Sequence, residues 1–419
     1  MKIGFISLGC SKNLVDTEMM IGYYKKNGYE IVVDPSDAEI IVINTCGFIE
    51  SAKQESIDTI LEMADYKNQN CQKFIVTGCL VERYLDELRE ELPEVDLFIP
   101  IRDYDKIFEI LDYHNRMIST GDNFAYLRIA DGCSNNCTYC AIPKIRGPLA
   151  SRDFDDILKE AKEILEKGYK EIILIAQDTG RYGLDLYGKP RLVELLKELC
   201  KMDFKWIRFL YTYPEMIDDE LIAVVKENEK ICRYFDMPIQ HISDKVLKRM
   251  GRKGTSESIK DVISKIKKEL PDAVLRTSLI VGFPGETDEQ FEELAEFVKD
   301  TKFNRLGVFK YSMEDGTPAV KLDGHLEEEI KEERLDKIMT IQQEVSKEFN
   351  DSLIGKEFEC IIDSVTEDGE YYITRSYMDV PDIDGLIFVK NEKEHKIGDF
   401  IKVIIESAEE YDLIGKENL

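Results

Sequence analysis

The stretch YLRIADGCSNNCTYC, residues 126–140, decides how this chain is read. Its first part, Tyr126–Ala130, is an apolar run with the character of a buried strand. A loop follows with Cys133, Cys137 and Cys140, separated by three and two residues. Three thiols so close together have no common structural purpose. A zinc site would supply a fourth Cys or His nearby, but His114 and His241 are distant in sequence. Three soft ligands without a fourth suit an iron–sulfur cluster with one open iron.

Downstream of this loop, strand and helix patterns alternate. Strands are expected at Glu171–Ala176, Trp206–Tyr211, Tyr234–Met237, Ala273–Val281 and Asn304–Tyr311. Helical periodicity separates most of them, as in Asp155–Lys167, Arg191–Met202 and Glu289–Thr301. With Tyr126–Ala130 these make a partial (β/α)6 barrel, short of the eight units of a closed one. A charged helix at Leu326–Leu353 follows, and the short β-rich runs after it predict a small all-β barrel.

Upstream, strands are expected at Lys2–Leu8, Glu39–Asn44 and Lys73–Thr77, with a weaker one at Glu30–Val33. Helices are expected near Asn13–Asn27, Phe48–Tyr66 and Val81–Leu88, so this region is α/β with an open parallel sheet. His114–Asn123 lacks apolar periodicity and reads as a linker. The expected domains are therefore 1–113, 124–350 and 353–419.

The upstream region holds a dispersed second set of cysteines. Cys10, Cys46 and Cys79 each stand just after an expected strand and before a helix. In an open parallel sheet the strand carboxyl ends share one edge, where ligands bind. A single buried cysteine is ordinarily a small hydrophobe, but three at one topological position predict a metal site whose thiolates the helix N-termini favour. Cys71, Cys200, Cys232 and Cys360 share no such position and read as structural.

Composition narrows the class. The 419 residues carry 56 Lys+Arg against 84 Asp+Glu, a net charge of −28, and 43% are hydrophobic. A chain this acidic is not a generic nucleic-acid binder, because phosphate neutralisation needs a basic surface. Ten cysteines are too few for a disulfide scaffold. No apolar run is long enough to span a bilayer, and the N-terminal apolar run is too short for a signal peptide. A cytosolic protein with no membrane contact is expected, whose clustered thiols stay reduced.

C-x3-C-x2-C at the first strand of a partial barrel resembles the radical S-adenosylmethionine (SAM) superfamily. That resemblance implies that SAM chelates the open iron of a 4Fe–4S cluster and is cleaved to a 5′-deoxyadenosyl radical. AQDTG (176–180) and SLIVGFPGET (278–287) fit strand ends that hold the SAM amine and ribose in that family. The three-domain order resembles the methylthiotransferases over essentially the whole chain, with a tail like their TRAM domain. It implies a second 4Fe–4S cluster on Cys10, Cys46 and Cys79, beside the one on Cys133, Cys137 and Cys140. It also implies an external one-electron donor and a sulfur source.

Two branches compete: one modifies adenosine in transfer RNA (the MiaB family), the other an aspartate β-carbon in small-subunit ribosomal protein S-twelve (the RimO family). SLGCSKNLVDTE (7–18) follows the second branch's SLGC-x-KN-x2-D-x-E, where the first has a YGCQMN-like run. CAIPKIRG (140–147) and SYMDVPDIDG (376–385) also look like the second, with Asp382 in place of its usual Glu. Residues 353–419 hold 7 Lys+Arg against 17 Asp+Glu, a net of −10. Such a tail should repel RNA and attract a basic ribosomal protein. A non-catalytic iron–sulfur redox sensor is the alternative from a different class.

The remaining candidates are cofactor contacts. Tyr139, before the third cysteine, is placed near adenine by the resemblance. Gln177 and Asp178 close the second barrel strand, where polar side chains usually face the site; Asp178 also suits a helix N-cap. Arg208 and Arg276 lie within strands, so each either holds a SAM or substrate carboxylate or pairs with a local acid. Gly282 and Gly285 allow close backbone approach to a ligand, or simply a turn. His241 reads more readily as structural than as part of the site. No residue stands out as a general base.

Overall fold

The computed structural model describes residues 1–104, 112–121 and 123–418. The N-terminal sheet is wholly parallel, in the order β2-β1-β3-β4-β5. Its strands are β1 (Lys2–Ser7), β2 (Glu30–Val32), β3 (Ile40–Thr45), β4 (Lys73–Gly78) and β5 (Leu97–Ile99). Every residue of β3 is buried, as expected of a central strand covered on both faces. The helices Ser11–Lys26, Glu50–Ala64 and Cys79–Glu91 match the three expected, and the last begins on the cysteine itself. The short β5 was not foreseen.

The central region contains all six expected strands: β6 (Phe124–Arg128), β9 (Glu171–Ile175), β10 (Trp206–Phe209), β11 (Tyr234–Asp236), β12 (Val274–Val281) and β13 (Arg305–Lys310). A two-residue hairpin of β7 (Ala130–Asp131) and β8 (Ala150–Ser151) frames the three-cysteine loop. The six strands form two parallel three-stranded sheets, β6-β9-β10 and β11-β12-β13. A parallel bridge between Ile207 and Ile231 and the bond from Thr212 N–H to the Asp236 carbonyl (2.9 Å) join them. The result is an open partial barrel.

Alternation along these strands separates two faces. Ala125, Leu127, Ile172, Leu174, Phe235 and Leu275 face outward into the core beneath the helices. Tyr126, Ile173, Ile175, Trp206, Tyr234 and Val274 face the lumen. The long helix Glu328–Asp351 leads into the C-terminal closed barrel, β14-β15-β16-β18-β17. Its strands are β14 (Glu357–Val365), β15 (Tyr371–Ser376), β16 (Ile387–Lys390), β17 (Phe400–Ala408) and β18 (Leu413–Glu417).

This small barrel stops the lumen at the strand-start end. Arg375 pairs with Glu171, the first residue of β9, at 2.5 Å. Asp379 pairs with Arg305, the first of β13, at 2.6 Å. Asp384 accepts from the Tyr234 hydroxyl, at the start of β11, at 2.6 Å. Phe400 meets Trp206, the first residue of β10, edge to face. The opposite, strand-end side is where the cysteines are.

The stretch read as a linker is docked in its described part. Arg116 pairs with Glu18 (3.0 Å) and Glu160 (2.9 Å), all three buried. His114 lies between Asp156 (2.8 Å) and Glu163 (2.7 Å). These contacts tie the N-terminal helix Ser11–Lys26 to the helix Phe154–Glu166. Among the described residues no helix is long and apolar enough to cross a membrane.

Candidate functional site: two cysteine triads on facing sheet edges

Cys10, Cys46 and Cys79 follow β1, β3 and β4, three adjacent parallel strands. Their loops press together because two glycines leave room. A Cβ on Gly9, at φ +87°, would lie 2.8 Å from the Cys46 sulfur. A Cβ on Gly47 would lie 2.7 Å from the Leu80 Cα. Cys10 caps the helix Ser11–Lys26, and Cys79 opens the helix Cys79–Glu91. Cys46 instead precedes a short turn before its helix, so only two of the three sit at a helix start. Cys10 is exposed, and Cys46 and Cys79 are buried. Burial pushes the Cys79 thiol up to about 12, against the opposing charge of Arg146.

Cys133, Cys137 and Cys140 lie on the loop between β7 and β8. Gly132, at φ +65°, makes the turn possible; a Cβ there would meet the Pro148 carbonyl oxygen at 2.1 Å. Asn135 stabilises the loop from within. Its N–H donates to the Cys133 sulfur (3.4 Å), and its side chain donates to Asp178 (3.1 Å). The Tyr213 hydroxyl lies 3.5 Å from the Cys137 sulfur, with the Arg252 guanidinium 4.0 Å over the Tyr213 ring. Burial pushes the Cys140 thiol up to about 12, and the neighbouring thiols add to it.

One side chain connects the two loops. Arg146, from the CAIPKIRG run, donates to Asp131 (2.9 Å), Asp16 (2.8 Å) and the Asn13 side chain (3.1 Å). The same guanidinium reaches the Cys79 sulfur at 3.8 Å. Beside it, Ala141 and Ile145 pack directly against Cys79. The residues after the compact triad thus form part of the wall of the dispersed one.

The other candidates separate into those at this edge and those elsewhere. Gln177 and Asp178 end β9 at the triad side. Asp178 is buried and makes no side-chain cap; burial raises its carboxyl to about 6 while Arg181 and Asn135 oppose. Tyr139 packs edge to face with Phe283, ring centroids 6.4 Å apart. Arg208 takes the local-acid alternative: it pairs with Glu171 (3.0 Å) and donates to the Tyr377 carbonyl (2.8 Å), at the stopped end. Arg276 likewise pairs with Asp236 (2.8 Å) and approaches Asp384 (3.9 Å). Neither arginine is at the triad edge, because their strand positions precede it.

The close approach at Gly282 comes from Lys331 of the long helix, whose Cγ would lie 2.4 Å from an added Cβ. His241 is fully buried, and burial holds its imidazole neutral, down to about 3. Its Nδ1 accepts from the Ser243 N–H at 2.9 Å, a structural role. Asn135, Arg146 and Tyr213 were missed as site residues. Arg146 and Asn135 lie in motifs singled out for their cysteines, whereas Tyr213 carries no local signal.

Each triad offers three soft thiol donors and no fourth. Among the described residues no three Cys, His, Asp or Glu side chains are grouped to hold a single metal ion. A four-iron cluster asks something different, one thiolate on each of three irons. The donor chemistry of both triads fits that group.

Comparison with known proteins decides the family. The model for the "Radical SAM superfamily" matches residues 127–298, that for "Uncharacterized protein family UPF0004" residues 2–100, and the "TRAM domain" residues 354–417. The ribosomal protein uS12 methylthiotransferase RimO of Alkaliphilus oremlandii is 57% identical, covering 99% of each chain. The protein of the same description from Clostridioides difficile is 50% identical over 99% of this chain and 98% of its own. The chain belongs to the RimO family.

Solved structures extend the comparison to fold. The RimO-family chain resembles the radical SAM methyltransferase TsrM from Kitasatospora setae, with a TM-score of 0.56, 11% identity and 74% of each chain covered. It resembles the cobalamin-dependent SAM radical enzyme OxsB with a TM-score of 0.51, 13% identity, and 82% and 56% coverage. At those identities the likeness is one of architecture. RimO-family membership brings with it a radical SAM 4Fe–4S cluster and SAM, and the closed C-terminal barrel is its TRAM domain.

Proposed function

We propose that this chain inserts a methylthio group at the β-carbon of an aspartate in ribosomal protein uS12, using two 4Fe–4S clusters and SAM. The observation that carries the reading is the joining of two cysteine triads, from two separate sheets, at one edge through Arg146. The relatives' description as uS12 methylthiotransferases supports the substrate.

Cys133, Cys137 and Cys140 are assigned to the SAM cluster, and Cys10, Cys46 and Cys79 to the second. When bound, the first supplies the electron that cleaves SAM, and the second holds sulfur beside the substrate carbon. The chain's own residues do the positioning. Asn135 and Asp178 fix the compact loop, and Tyr213 covers Cys137. Arg146 places a buried positive charge against Cys79, which offsets part of the cost that burial imposes on a thiolate there. SAM serves as methyl donor in one molecule and radical source in another; the electron comes from an external one-electron donor and the sulfur from a separate source.

The TRAM barrel supports a basic protein partner. Glu367, Asp368, Glu370, Glu392, Glu394 and Glu406 are all exposed on it. That surface repels phosphate and steers a cationic partner. A cytoplasmic location accords with a ribosomal substrate.

The test is in vitro. Anaerobically reconstituted enzyme with SAM, a reductant and a sulfur source is given purified uS12 and, separately, transfer RNA. The reading expects one methylthio group on uS12 and none on RNA. Modified adenosine with unmodified uS12 would overturn it, and iron-loaded, reduced enzyme that leaves SAM intact would favour a redox sensor.

A further inference from the structure

Lys12 stands in SLGCSKN, two residues after Cys10 and in the first turn of the helix Ser11–Lys26. It is only 4% exposed. Lysine is almost never this buried without an acid partner. Among the described residues, however, no carboxylate lies within ion-pair distance of its ammonium. The neighbouring cations are all paired: Arg128 with Asp16 (2.5 Å), Arg146 with Asp16 (2.8 Å) and Asp131 (2.9 Å), and Arg276 with Asp236 (2.8 Å). Lys12 is the exception in a well-paired region.

Its ammonium lies 3.1 Å from the ring centroid of Tyr211. Tyr211 follows β10 at the strand-end side of the partial barrel and has φ +59°, a left-handed conformation uncommon for a bulky residue. The surroundings impose it: the Tyr211 N–H donates to Asp236 (3.1 Å), and its carbonyl accepts from the Thr179 N–H (3.1 Å). Strain of this kind concentrates at ligand sites. A ring face offsets part of the desolvation of an ammonium, by ~0.5–2 kcal/mol, and leaves its three N–H donors short of acceptors.

We propose that Lys12 binds the side-chain carboxylate of the substrate residue and so selects an acidic side chain over a neutral one. The inference rests on the function proposed above. Lys12 spans the gap between the dispersed triad, two residues away, and the strand ends of the barrel. A carbon that receives sulfur from the first and loses hydrogen to a radical made at the second must sit in that gap. The carboxylate of an aspartate is one bond from its β-carbon. An ammonium that holds the carboxylate therefore also fixes the β-hydrogens. The unpaired ammonium of Lys12 has the charge that an acidic side chain requires of its partner. A neutral base needs no counter-ion, and a carboxylate does.

The test compares two substrates and three enzymes. Reconstituted holoenzyme is titrated with uS12 and with uS12 whose target aspartate is replaced by asparagine, and both Kd values are measured. Iron content and the electron paramagnetic resonance spectrum of the clusters check that each variant is intact. Wild type is expected to prefer the acidic substrate by about tenfold or more, which corresponds to about 1.4 kcal/mol. Lys12→Met is expected to bind both forms equally, and Lys12→Arg to keep most of the preference. If Lys12→Met takes up less iron, Lys12→Gln replaces it in the same comparison.

Equal binding of the two substrates by wild type, or an undiminished preference in the Met or Gln variant, would overturn the role of Lys12 while leaving the function intact. Wild type that neither binds nor modifies uS12 would overturn the function itself, and the role of Lys12 with it.

Discussion

Nη2 of Arg146 lies 2.8 Å from Asp16 and 3.8 Å from the Cys79 sulfur. One guanidinium thus spans the central region, the N-terminal helix and a cysteine of the dispersed triad. Its side chain is 1% exposed, and its removal takes one of two guanidinium partners from Asp16 and from Asp131, leaving each to Arg128 alone. Arg146→Met is expected to lower stability by about 3–5 kcal/mol, the usual cost of breaking a buried pair. Denaturant unfolding of the full chain measures it, and a change under about 1 kcal/mol would contradict the linking role.

Iron content tests the ligand assignment. Wild type reconstituted anaerobically should hold about eight irons per chain, and alanine at either triad about half of that. Changing Cys71, Cys200, Cys232 or Cys360 should leave the iron unchanged, since these lie apart from both triads. Stoichiometric zinc without iron would refute the assignment.

Glu171 joins the TRAM barrel to the partial barrel. It receives Arg208 at 3.0 Å and Arg375 at 2.5 Å, all buried. Burial alone would raise its carboxyl, yet the two arginines hold it below the usual range. Glu171→Gln leaves the buried Arg208 without a counter-charge and Arg375 with Asp363 (2.8 Å) alone. It should cost about 3–5 kcal/mol and make the tail more readily released by limited proteolysis near Leu353. Unchanged proteolysis would show that apolar contacts alone dock the barrel.

His114 predicts a pH dependence. Burial would lower its pKa, but the bonds to Asp156 and Glu163 prevail and raise it above its ordinary 6.5. A raised folded-state value means that the folded state binds the proton more tightly. The stabilisation is full below pH 6.5 and is lost as pH rises through the folded value. His114→Gln should therefore lower the thermal midpoint more at pH 6 than at pH 9, where the two proteins converge. An equal difference at both would contradict the pairing.

Much of this was legible because periodicity and cysteine position are local signals. The six barrel strands read as apolar runs, and their parallel order followed from the alternation with helices. Convergence of Cys10, Cys46 and Cys79 followed from parallel topology alone. The fates of Arg208 and Arg276 did not, because their partners Glu171 and Asp236 lie on neighbouring strands and Tyr377 in another domain. The docking of the connecting segment 114–123 was not legible for the same reason: His114 and Arg116 find acids far along the chain. Lys12 read as one letter of a motif until its burial was known. Asp382, the departure from the family's Glu, lies at φ +63°, a conformation that the shorter Asp tolerates better.

The central claim is that an aspartate of uS12 is the target. Mass spectrometry of uS12 from cells with and without this gene tests it most directly. The account predicts a methylthio group on one aspartate only when the gene is present. Identical uS12 from the two cells, with methylthioadenosine in transfer RNA changing instead, would contradict it.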